Sequence, residues 1–273
     1  MKWAPDEDFI EPPTLLGSIR RVEAVISRDN RVMTTVAVLQ ARMGSSRLPG
    51  KVLLQFDGES ALAHCVERAT ACHAIDELVV ATTTATGDDA IVELCRARGW
   101  RWFRGSEHDV LDRYYHAARE ARADDVMRLT ADCPLTDPTV LAGLVERYRA
   151  DHADYASTSY PRRTFPLGIS GEIMRADALE RAWRDDDDPA WREHVTPFIY
   201  RHPERFRLSG YSCEADYTQY RWTLDTPEDA ELLRTIFDHF AGRAFGWRDV
   251  LCAAEAHPEW QAINAGIEQR RVH

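Results

Sequence analysis

Short apolar runs alternate with amphipathic stretches along most of the chain from residue 35 onward. The run Thr35–Gln40 is almost entirely apolar, which is typical of a strand buried on both faces of a sheet. Apolar residues at helical spacing then follow Ser60, and they predict a helix from that cap to about Cys72. The alternation recurs, and it predicts strands at 77–82, 100–103 and 125–129 and helices at 88–98, 110–121 and 138–149.

Strands that alternate with helices of this length indicate βαβ units and a mainly parallel sheet. After residue 150 the pattern changes, with strand-like segments near 153–158, 206–212 and 219–224 around predicted helices near 176–184 and 190–201. A helix from 227 to about 240 follows, and the tail from 247 carries one weaker helix. We therefore predict an α/β fold with a mainly parallel, mixed sheet. The expected parts are an N-terminal extension over 1–33, a domain over 34–243 and a helical tail over 244–273.

The net charge of the chain limits the classes of ligand that it can bind. The 273 residues include 34 basic and 45 acidic side chains, so the formal net charge is −11. A nucleic-acid binder needs a basic surface against the phosphate backbone, and this composition argues against that class. The sequence has no run of about 18 apolar residues and no apolar signal core in its first 30 residues. We expect a cytoplasmic protein with small ligands and no membrane span.

The segment after the first predicted strand has the composition of an anion-binding loop. Residues 41–51 read ARMGSSRLPGK, and of the 34 basic residues only Lys2 and Lys51 are lysines. Glycines let backbone N–H groups approach a phosphate, and hydroxyl groups add donors. Ligands of open α/β sheets bind at the carboxyl ends of strands, where this segment lies. We therefore predict a triphosphate site formed by Gln40, Ala41, Arg42, Gly44, Ser45, Ser46, Arg47 and Lys51, with Arg42, Arg47 and Lys51 as its catalytic cations.

Two aspartates at predicted strand ends suit a magnesium ion. Asp132 follows the strand DVMRL, and Asp225 follows YRWTL, so both are expected at the sheet edge that carries the loop. Mg²⁺ favours one or two carboxylates together with phosphate oxygens and waters. Asp225 has no capping role to fill, because Thr226 suits the N-cap position before Pro227. The pair is therefore predicted to hold Mg²⁺.

The run QARMGSSRLPGKVL resembles the signature loop of the cytidylyltransferases that activate acidic sugars, namely the CMP-sialic acid and CMP-KDO synthetases, and above all their SpsF-type spore-coat polysaccharide branch. The likeness continues through VVATTT, FRGSEHDVLDRYY, RLTADCPLTDP, REHVTP and TLDTPED. It implies a Rossmann-like three-layer α/β/α nucleotidyltransferase fold with an inserted acceptor and dimerisation part at 157–215. It also implies a homodimer, CTP as substrate and Mg²⁺ on Asp132 and Asp225. Further nucleotide contacts are expected from Thr82, Thr83, Gly105, Arg113, Thr130 and Asp132.

The acceptor side departs from the pattern of this branch. Members of the branch carry a stretch like FPRGLDVEV, whereas residues 165–173 read FPLGISGEI. Leu167 thus replaces an arginine and Ser170 replaces an aspartate. The resemblance implies acceptor-side positions at Arg163, Gly168, Ser170, Glu172, Glu193 and His194.

The expected acceptor is an acidic sugar or a related small anion, and a phosphonate or another phosphorylated small molecule is the alternative. Two other classes stay open at this point. One is a nucleotide-sugar-dependent glycosyltransferase, which shares the architecture and a carboxylate-bound metal. The other is a nucleotide-binding protein that has lost catalysis.

Overall fold

The computed structural model describes residues 33–269. The predicted extension over 1–33, apart from Met33, and residues 270–273 lie outside the described residues. The strands are β1 Thr35–Gln40, β2 Gln55–Phe56, β3 Glu59–Ser60, β4 Glu77–Thr83, β5 Arg101–Gly105, β6 Asp125–Thr130, β7 Tyr155–Ser157, β8 Glu172–Arg175 and β9 Leu208–Gly210. The helices are α1 Ala61–Thr70, α2 Asp89–Arg98, α3 Val110–Glu120, α4 Pro138–Ala150, α5 Ala176–Asp185, α6 Pro189–His194, α7 Pro197–Tyr200, α8 Pro227–His239, α9 Trp247–Ala256 and α10 Glu259–Asn264. Short 3₁₀ turns cover Lys51–Leu53 and Thr86–Asp88.

The main sheet has seven strands in the order β5-β4-β1-β6-β8-β7-β9, and β2 pairs with β3 in a separate hairpin. Within the main sheet β8 alone runs antiparallel to both of its neighbours. The predicted mainly parallel, mixed sheet is therefore confirmed. The chain leaves β1 toward β4 on one side and later returns to β6 on the other, so a topological switch point lies between β1 and β6. Ligands of open α/β sheets bind at such a point.

Alternating side chains of the central strands divide the core into two layers. Ala37 and Leu39 of β1 pack with helices α1, α2 and α4 on one face of the sheet. Val36 and Val38 pack with α3, α5 and α7 on the other face. Period-two alternation of side chains produces this division, and because both faces are covered the strands read as continuous apolar runs. The predicted three-layer α/β/α architecture is confirmed.

The second half of the chain differs in detail from the sequence prediction. The segment predicted as a strand over 219–224 contains only an isolated bridge between Leu167 and Arg221. The helix predicted over 190–201 is two helices, α6 and α7, because Val195 between them has a positive φ of 72°. Strand β8 was not predicted, and the tail contains α9 and α10 rather than one helix.

The C-terminal helices belong to the core of the domain. Trp247 and Val250 of α9 and Trp260 of α10 are buried in one apolar cluster with Leu233 of α8 and Trp222. Helix α8 begins as predicted, with Thr226 as N-cap and Pro227 at the first helical position, and Asp229 completes a capping box. Helices α9 and α10, which lie in the predicted tail, therefore pack against the residues that lead to Asp225. No helix within 33–269 combines the length and the apolar composition needed to cross a bilayer.

Candidate active site

The loop that follows β1 is folded around its own backbone at the switch point of the sheet. Met43 O accepts hydrogen bonds from Ser45 N and from Gly50 N, each 3.0 Å long. Gly50 has a φ of 73°, a left-handed conformation that glycine adopts without strain. Asp88 anchors the loop from the next βα connection, because its Oδ1 accepts from Met43 N at 2.7 Å. Lys51 then starts a short 3₁₀ turn that points its side chain into the cleft.

The Lys51 ammonium lies between the two predicted metal ligands. Its Nζ is 3.0 Å from Asp132 Oδ2 and 2.8 Å from Asp225 Oδ1. Burial lowers the pKa of Lys51, but attraction to the two carboxylates and hydrogen bonds with them outweigh that effect, so the pKa is raised. Lys51 is therefore charged at neutral pH. The structure brings together the three residues that sequence reasoning placed at this sheet edge.

Each carboxylate presents one oxygen to Lys51 and is anchored through the other. Asp132 Oδ1 accepts from the Thr130 hydroxyl at 2.6 Å. Asp225 Oδ2 lies 3.1 Å from Arg47 Nη2 and 3.3 Å from Arg221 Nη2. Burial raises the pKa of Asp132, but Lys51 and the Thr130 hydroxyl lower it further than burial raises it, so the pKa lies below its ordinary value.

A backbone bond fixes the spacing between the two aspartates. Leu224 N donates to Asp132 O at 2.8 Å, and the Thr223 hydroxyl donates to the same oxygen at 3.1 Å. Residues 223–225 thus run beside the end of β6 without forming a strand. Both carboxylates stay within reach of one cation because main-chain groups on each side are paired.

The cleft above Lys51 has a volume of about 420 Å³. Three buried polar atoms of residues at its wall, Gln40 Oε1, Arg113 Nε and Arg128 Nε, have no hydrogen-bond partner among the described residues. Buried polar atoms are rarely left unpaired, so these atoms mark positions where a ligand donor fits against Gln40 and ligand acceptors fit against the two guanidinium groups. Burial lowers the pKa of Arg113, and the guanidinium forms no ion pair with a described carboxylate. The lining residues include Gln40, Ala41, Arg42, Gly44, Ser45, Ser46, Arg47, Lys51, Arg113, Arg128, Thr130, Asp132, Glu193, His194, Asp225 and Gln269.

Three predicted nucleotide contacts lie behind the wall of the cleft instead of on it. Thr82 and Thr83 are buried, and both hydroxyls donate to Asp88 Oδ2. They therefore support the loop through Asp88 and do not face a ligand, because the end of β4 turns their side chains inward. Gly105 packs under Arg113, where an added Cβ would lie 3.0 Å from Arg113 Cγ and 2.9 Å from the Phe103 ring. Gly105 thus permits the position of Arg113.

The predicted acceptor-side residues lie next to the nucleotide cleft. Arg163, Gly168, Ser170 and Glu172 line a cavity of about 130 Å³, and Glu172 also lines a neighbouring cavity of about 360 Å³. Glu172 binds Arg128 at 2.7 Å and accepts from the Tyr155 hydroxyl at 3.1 Å. Gly168 has a φ of 104°, and its Cα lies against the Trp222 backbone where a Cβ would collide.

Two consecutive residues of α6 reach the cleft from the acceptor side. Glu193 is exposed and lies 3.8 Å from Arg42. His194 lines both the nucleotide cleft and the larger acceptor-side cavity. Its carbonyl accepts from Thr196 N at 2.9 Å across Val195, whose φ and ψ of 72° and −51° define a γ-turn. A buried, β-branched residue in this conformation is strained, and the turn ends α6 at His194.

Several residues of the site escaped the sequence analysis. Arg128 lines the nucleotide cleft and both acceptor-side cavities. The feature that could have identified Arg128 is its charge inside an otherwise apolar predicted strand. Asp88 was assigned to a helix start, although its burial and its bonds to Met43, Thr82 and Thr83 make it the anchor of the loop. Tyr155, Ser157 and Ser159 on the acceptor side carried no recognisable signal, and Thr196 was covered only by the resemblance of the run REHVTP.

Comparisons with known proteins identify the family of this chain. The sequence pattern of the cytidylyltransferase family matches residues 36–248. The spore coat polysaccharide biosynthesis protein SpsF of Bacillus subtilis is 34% identical over 207 residues, which cover 73% of this chain and 85% of SpsF. The uncharacterized protein MJ1063 of Methanocaldococcus jannaschii is 36% identical over 241 residues, which cover 87% of this chain and 97% of that protein.

A solved structure with substantial identity shares the whole fold. The cytidylyltransferase of Leptospira borgpetersenii superposes with a TM-score of 0.80 at 32% identity, covering 88% of this chain and all of that one. The range that the family pattern matches, 36–248, contains the loop with Lys51 and both aspartates. On sequence, fold and site geometry together, the chain belongs to the cytidylyltransferase family and is a nucleotidyltransferase of its SpsF-type branch.

Proposed function

We propose that the protein transfers CMP from CTP to a small anionic acceptor, with release of pyrophosphate. The observation that carries this proposal is the Lys51 ammonium held between Asp132 and Asp225 at the base of a cleft that Arg42 and Arg47 also line. Five charged groups, three cations and two carboxylates, thus converge at one sheet edge, which suits phosphates and a divalent cation. Membership of the cytidylyltransferase family supports CTP as the nucleotide.

The donor set fits Mg²⁺. Asp132 Oδ2 and Asp225 Oδ1 both face the position that the Lys51 ammonium takes. Within residues 33–269 no three His, Cys, Asp or Glu side chains group together as a complete metal site. A pair of carboxylates that leaves the other positions to phosphate oxygens and water is the arrangement Mg²⁺ favours. When bound there, the ion would neutralise charge on the phosphates and polarise the reacting phosphorus.

The residues of the chain have distinct tasks in this reaction. Lys51 and Arg47 leave Asp225 and donate to the triphosphate, where they stabilise charge that develops on the departing pyrophosphate. Arg42 adds a third cation at the open side of the cleft. Gln40 and Arg113 satisfy their unpaired atoms by binding the nucleoside. The acceptor oxygen forms a bond to the α-phosphorus while the bond to the pyrophosphate oxygen breaks, so positioning and charge stabilisation account for the catalysis.

The acceptor we propose is an acidic sugar or a related small anion. Arg128 is neutralised by Glu172, whereas among the described carboxylates none lies within ion-pair distance of Arg163, and Asp216 attracts it only from farther away. The cavities otherwise present hydroxyl groups, among them Ser157, Ser159 and Tyr160. A guanidinium without a close carboxylate, set among hydroxyl groups, suits a polar molecule with one anionic group. A phosphonate or phosphorylated acceptor satisfies the same description.

The SpsF-type relative supports a saccharide acceptor, since its name assigns it to polysaccharide biosynthesis. As the family resemblance implies, we also propose that the chain works as a homodimer, with residues 157–215 as the contacting part. Sedimentation of the purified protein measures that assembly directly. A monomer at micromolar concentration would contradict it.

The test of the function is thermal stabilisation by each of the four ribonucleoside triphosphates, with and without Mg²⁺. A ligand that binds only the folded state raises the melting temperature. We expect a shift that is selective for CTP and dependent on Mg²⁺, followed by pyrophosphate release when acidic sugars and phosphonates are added. Stabilisation by a nucleoside diphosphate-sugar and by no triphosphate would favour the glycosyltransferase alternative. CTP binding without pyrophosphate release from any acceptor would favour a protein that has lost catalysis.

A further inference from the structure

Three cations lie around Asp225, and Arg221 is held differently from Arg47 and Lys51. Arg47 and Lys51 belong to the loop after β1, and the proposed function requires both to turn toward the phosphates. Arg221 comes from the segment that carries Asp225 itself, and its Nη2 lies 3.3 Å from Asp225 Oδ2. When the loop cations leave, Arg221 is the remaining charged partner among the described residues near this carboxylate.

Arg221 is fixed in place by a buried carboxylate. Asp229 accepts from Arg221 Nε at its Oδ1 and from Arg221 Nη2 at its Oδ2, each at 2.8 Å. Such a bidentate pair fixes the plane of the guanidinium. Asp229 Oδ2 also accepts from the backbone N–H groups of Asp225, at 3.0 Å, and of Thr226, at 3.1 Å. Asp229 therefore holds both the main chain of Asp225 and its side-chain partner.

A further member of the network comes from helix α10. Asn264 is buried, and its Nδ2 donates to Asp229 Oδ1 at 2.9 Å and to Arg221 O at 3.0 Å. Burial raises the pKa of Asp229, but the bonds from Arg221 and Asn264 lower it below its ordinary value, so the carboxylate stays charged. Asn264 lies beyond residues 36–248, the range that the family pattern matches.

We propose that Asn264, acting through Asp229 and Arg221, is a positioning residue that holds Asp225 ready for the nucleotide and its metal ion. The inference rests on the proposed function, since it concerns the same site. Asn264 touches no reacting atom. It fixes the orientation of the Asp229 carboxylate and the backbone of Arg221, and Arg221 keeps Asp225 Oδ1 directed at the cleft. Helix α10 therefore contributes to the free energy of nucleotide binding through Asn264, although it lies outside the range that the family pattern matches.

A double-mutant cycle separates this role from a general effect on the fold. The variants are Asn264→Ala, Asp225→Ala and their combination, with Gln261→Ala, an exposed side chain of the same helix, as the matched control. The measurement is the dissociation constant of Mg²⁺–CTP by calorimetry, together with the melting temperature without ligand. We expect Asn264→Ala to weaken binding about tenfold, which is the usual size for a lost hydrogen bond to a charged group. In the Asp225→Ala background it should weaken binding no further.

The other outcomes are equally informative. Equal weakening by Asn264→Ala with and without Asp225 would overturn the proposal, as would a lower melting temperature with unchanged binding. If Asn264→Ala does not fold, Arg221→Lys answers the same question, because it keeps the charge but cannot reach Asp225 and Asp229 together. Unchanged binding by that variant would also overturn the proposal. Absence of Mg²⁺–CTP binding by the unmodified protein would instead overturn the proposed function, and the inference with it.

Discussion

Lys51 and Asp225 are 174 positions apart in the chain, yet the Lys51 ammonium lies 2.8 Å from Asp225 Oδ1. They meet because the loop after β1 and the segment before α8 end at the same edge of the sheet. The ion pair neutralises the site when no nucleotide is bound. A lysine that is already desolvated and aimed at the cleft needs little reorganisation to bind a phosphate.

Replacement of Lys51 by methionine should reduce turnover much more than stability. We expect kcat/KM to fall by at least about 100-fold, the usual effect of losing one group that stabilises developing charge. The free energy of unfolding should fall by only about 1–2 kcal/mol, because Asp225 keeps Arg47 and Arg221 as partners. Steady-state kinetics and urea unfolding measure the two effects, and Arg234→Ala on the exposed face of α8 is the control. Parallel loss of both quantities would mean that the lysine is structural.

The buried Asp229 predicts how stability depends on pH. Its pKa in the folded protein lies below its ordinary value of about 3.9, because Arg221 and Asn264 stabilise the charged form against the effect of burial. Its contribution is therefore fully present above about pH 4 and is lost as the pH falls through the folded pKa. Asp229→Asn should cost about 3 kcal/mol at pH 7, since it leaves Arg221 buried without its carboxylate.

Urea unfolding between pH 7 and pH 2 measures this contribution. The difference in unfolding free energy between the unmodified protein and Asp229→Asn should be constant down to about pH 4 and should shrink below it. Asp238→Asn at the exposed end of α8 is the control and should show no such difference. If this difference in unfolding free energy became larger toward low pH, it would contradict the assigned direction of the pKa shift.

His194 is expected to be neutral at pH 7. Burial lowers its pKa, and the nearby Arg128 lowers it further, whereas Glu193 and Glu172 oppose the shift only in part. Its NMR titration midpoint should therefore lie below the ordinary 6.5, with the signal assigned by its loss in His194→Gln. Stability linked to the neutral ring is present above about pH 6.5 and is lost as the pH falls through the folded pKa. A midpoint above 6.5 would show that the acidic neighbours dominate.

Gly105→Ala should weaken nucleotide binding through Arg113. The new Cβ would lie 3.0 Å from Arg113 Cγ and 2.9 Å from the Phe103 ring, so the guanidinium must shift. Overpacking of this kind costs about 1–3 kcal/mol. We expect a higher dissociation constant for CTP, measured by calorimetry. Gly87→Ala, where the added Cβ meets nothing within 4 Å, is the matched control and should bind CTP normally.

The sequence was sufficient wherever one strong local rule decided the structure. Apolar runs predicted the central strands, and the rule that parallel strands end at one edge brought Lys51, Asp132 and Asp225 together. Thr226 and Pro227 predicted the start of α8 correctly because an N-cap and a proline at the first helical position are adjacent in the sequence. Arg42, Gly44, Ser45, Ser46 and Arg47 line the cleft as predicted.

Structural features that depend on residues far away in the chain could not be predicted from the sequence. The side chains of Thr82 and Thr83 point toward Asp88, to which both hydroxyls donate. The sequence pattern assigned Asp88 to the start of a helix and gave no sign of this buried contact. The break in the helix at Val195 requires a strained backbone that no propensity predicts for valine. Asn264 lies 35 positions from Asp229 and reaches it only because α10 packs onto α8.

Lys51 is the only lysine among residues 33–269, and the sequence has one other lysine, Lys2. A protein grown with isotope-labelled lysine therefore carries a probe at the centre of the cleft, with one other signal to distinguish from it. The Lys51→Met variant assigns that signal by its disappearance. The exchange of carboxylate partners for phosphate partners can then be followed at a single nitrogen during each stage of nucleotide binding. A composition bias toward arginine has thus left this enzyme with a built-in spectroscopic reporter.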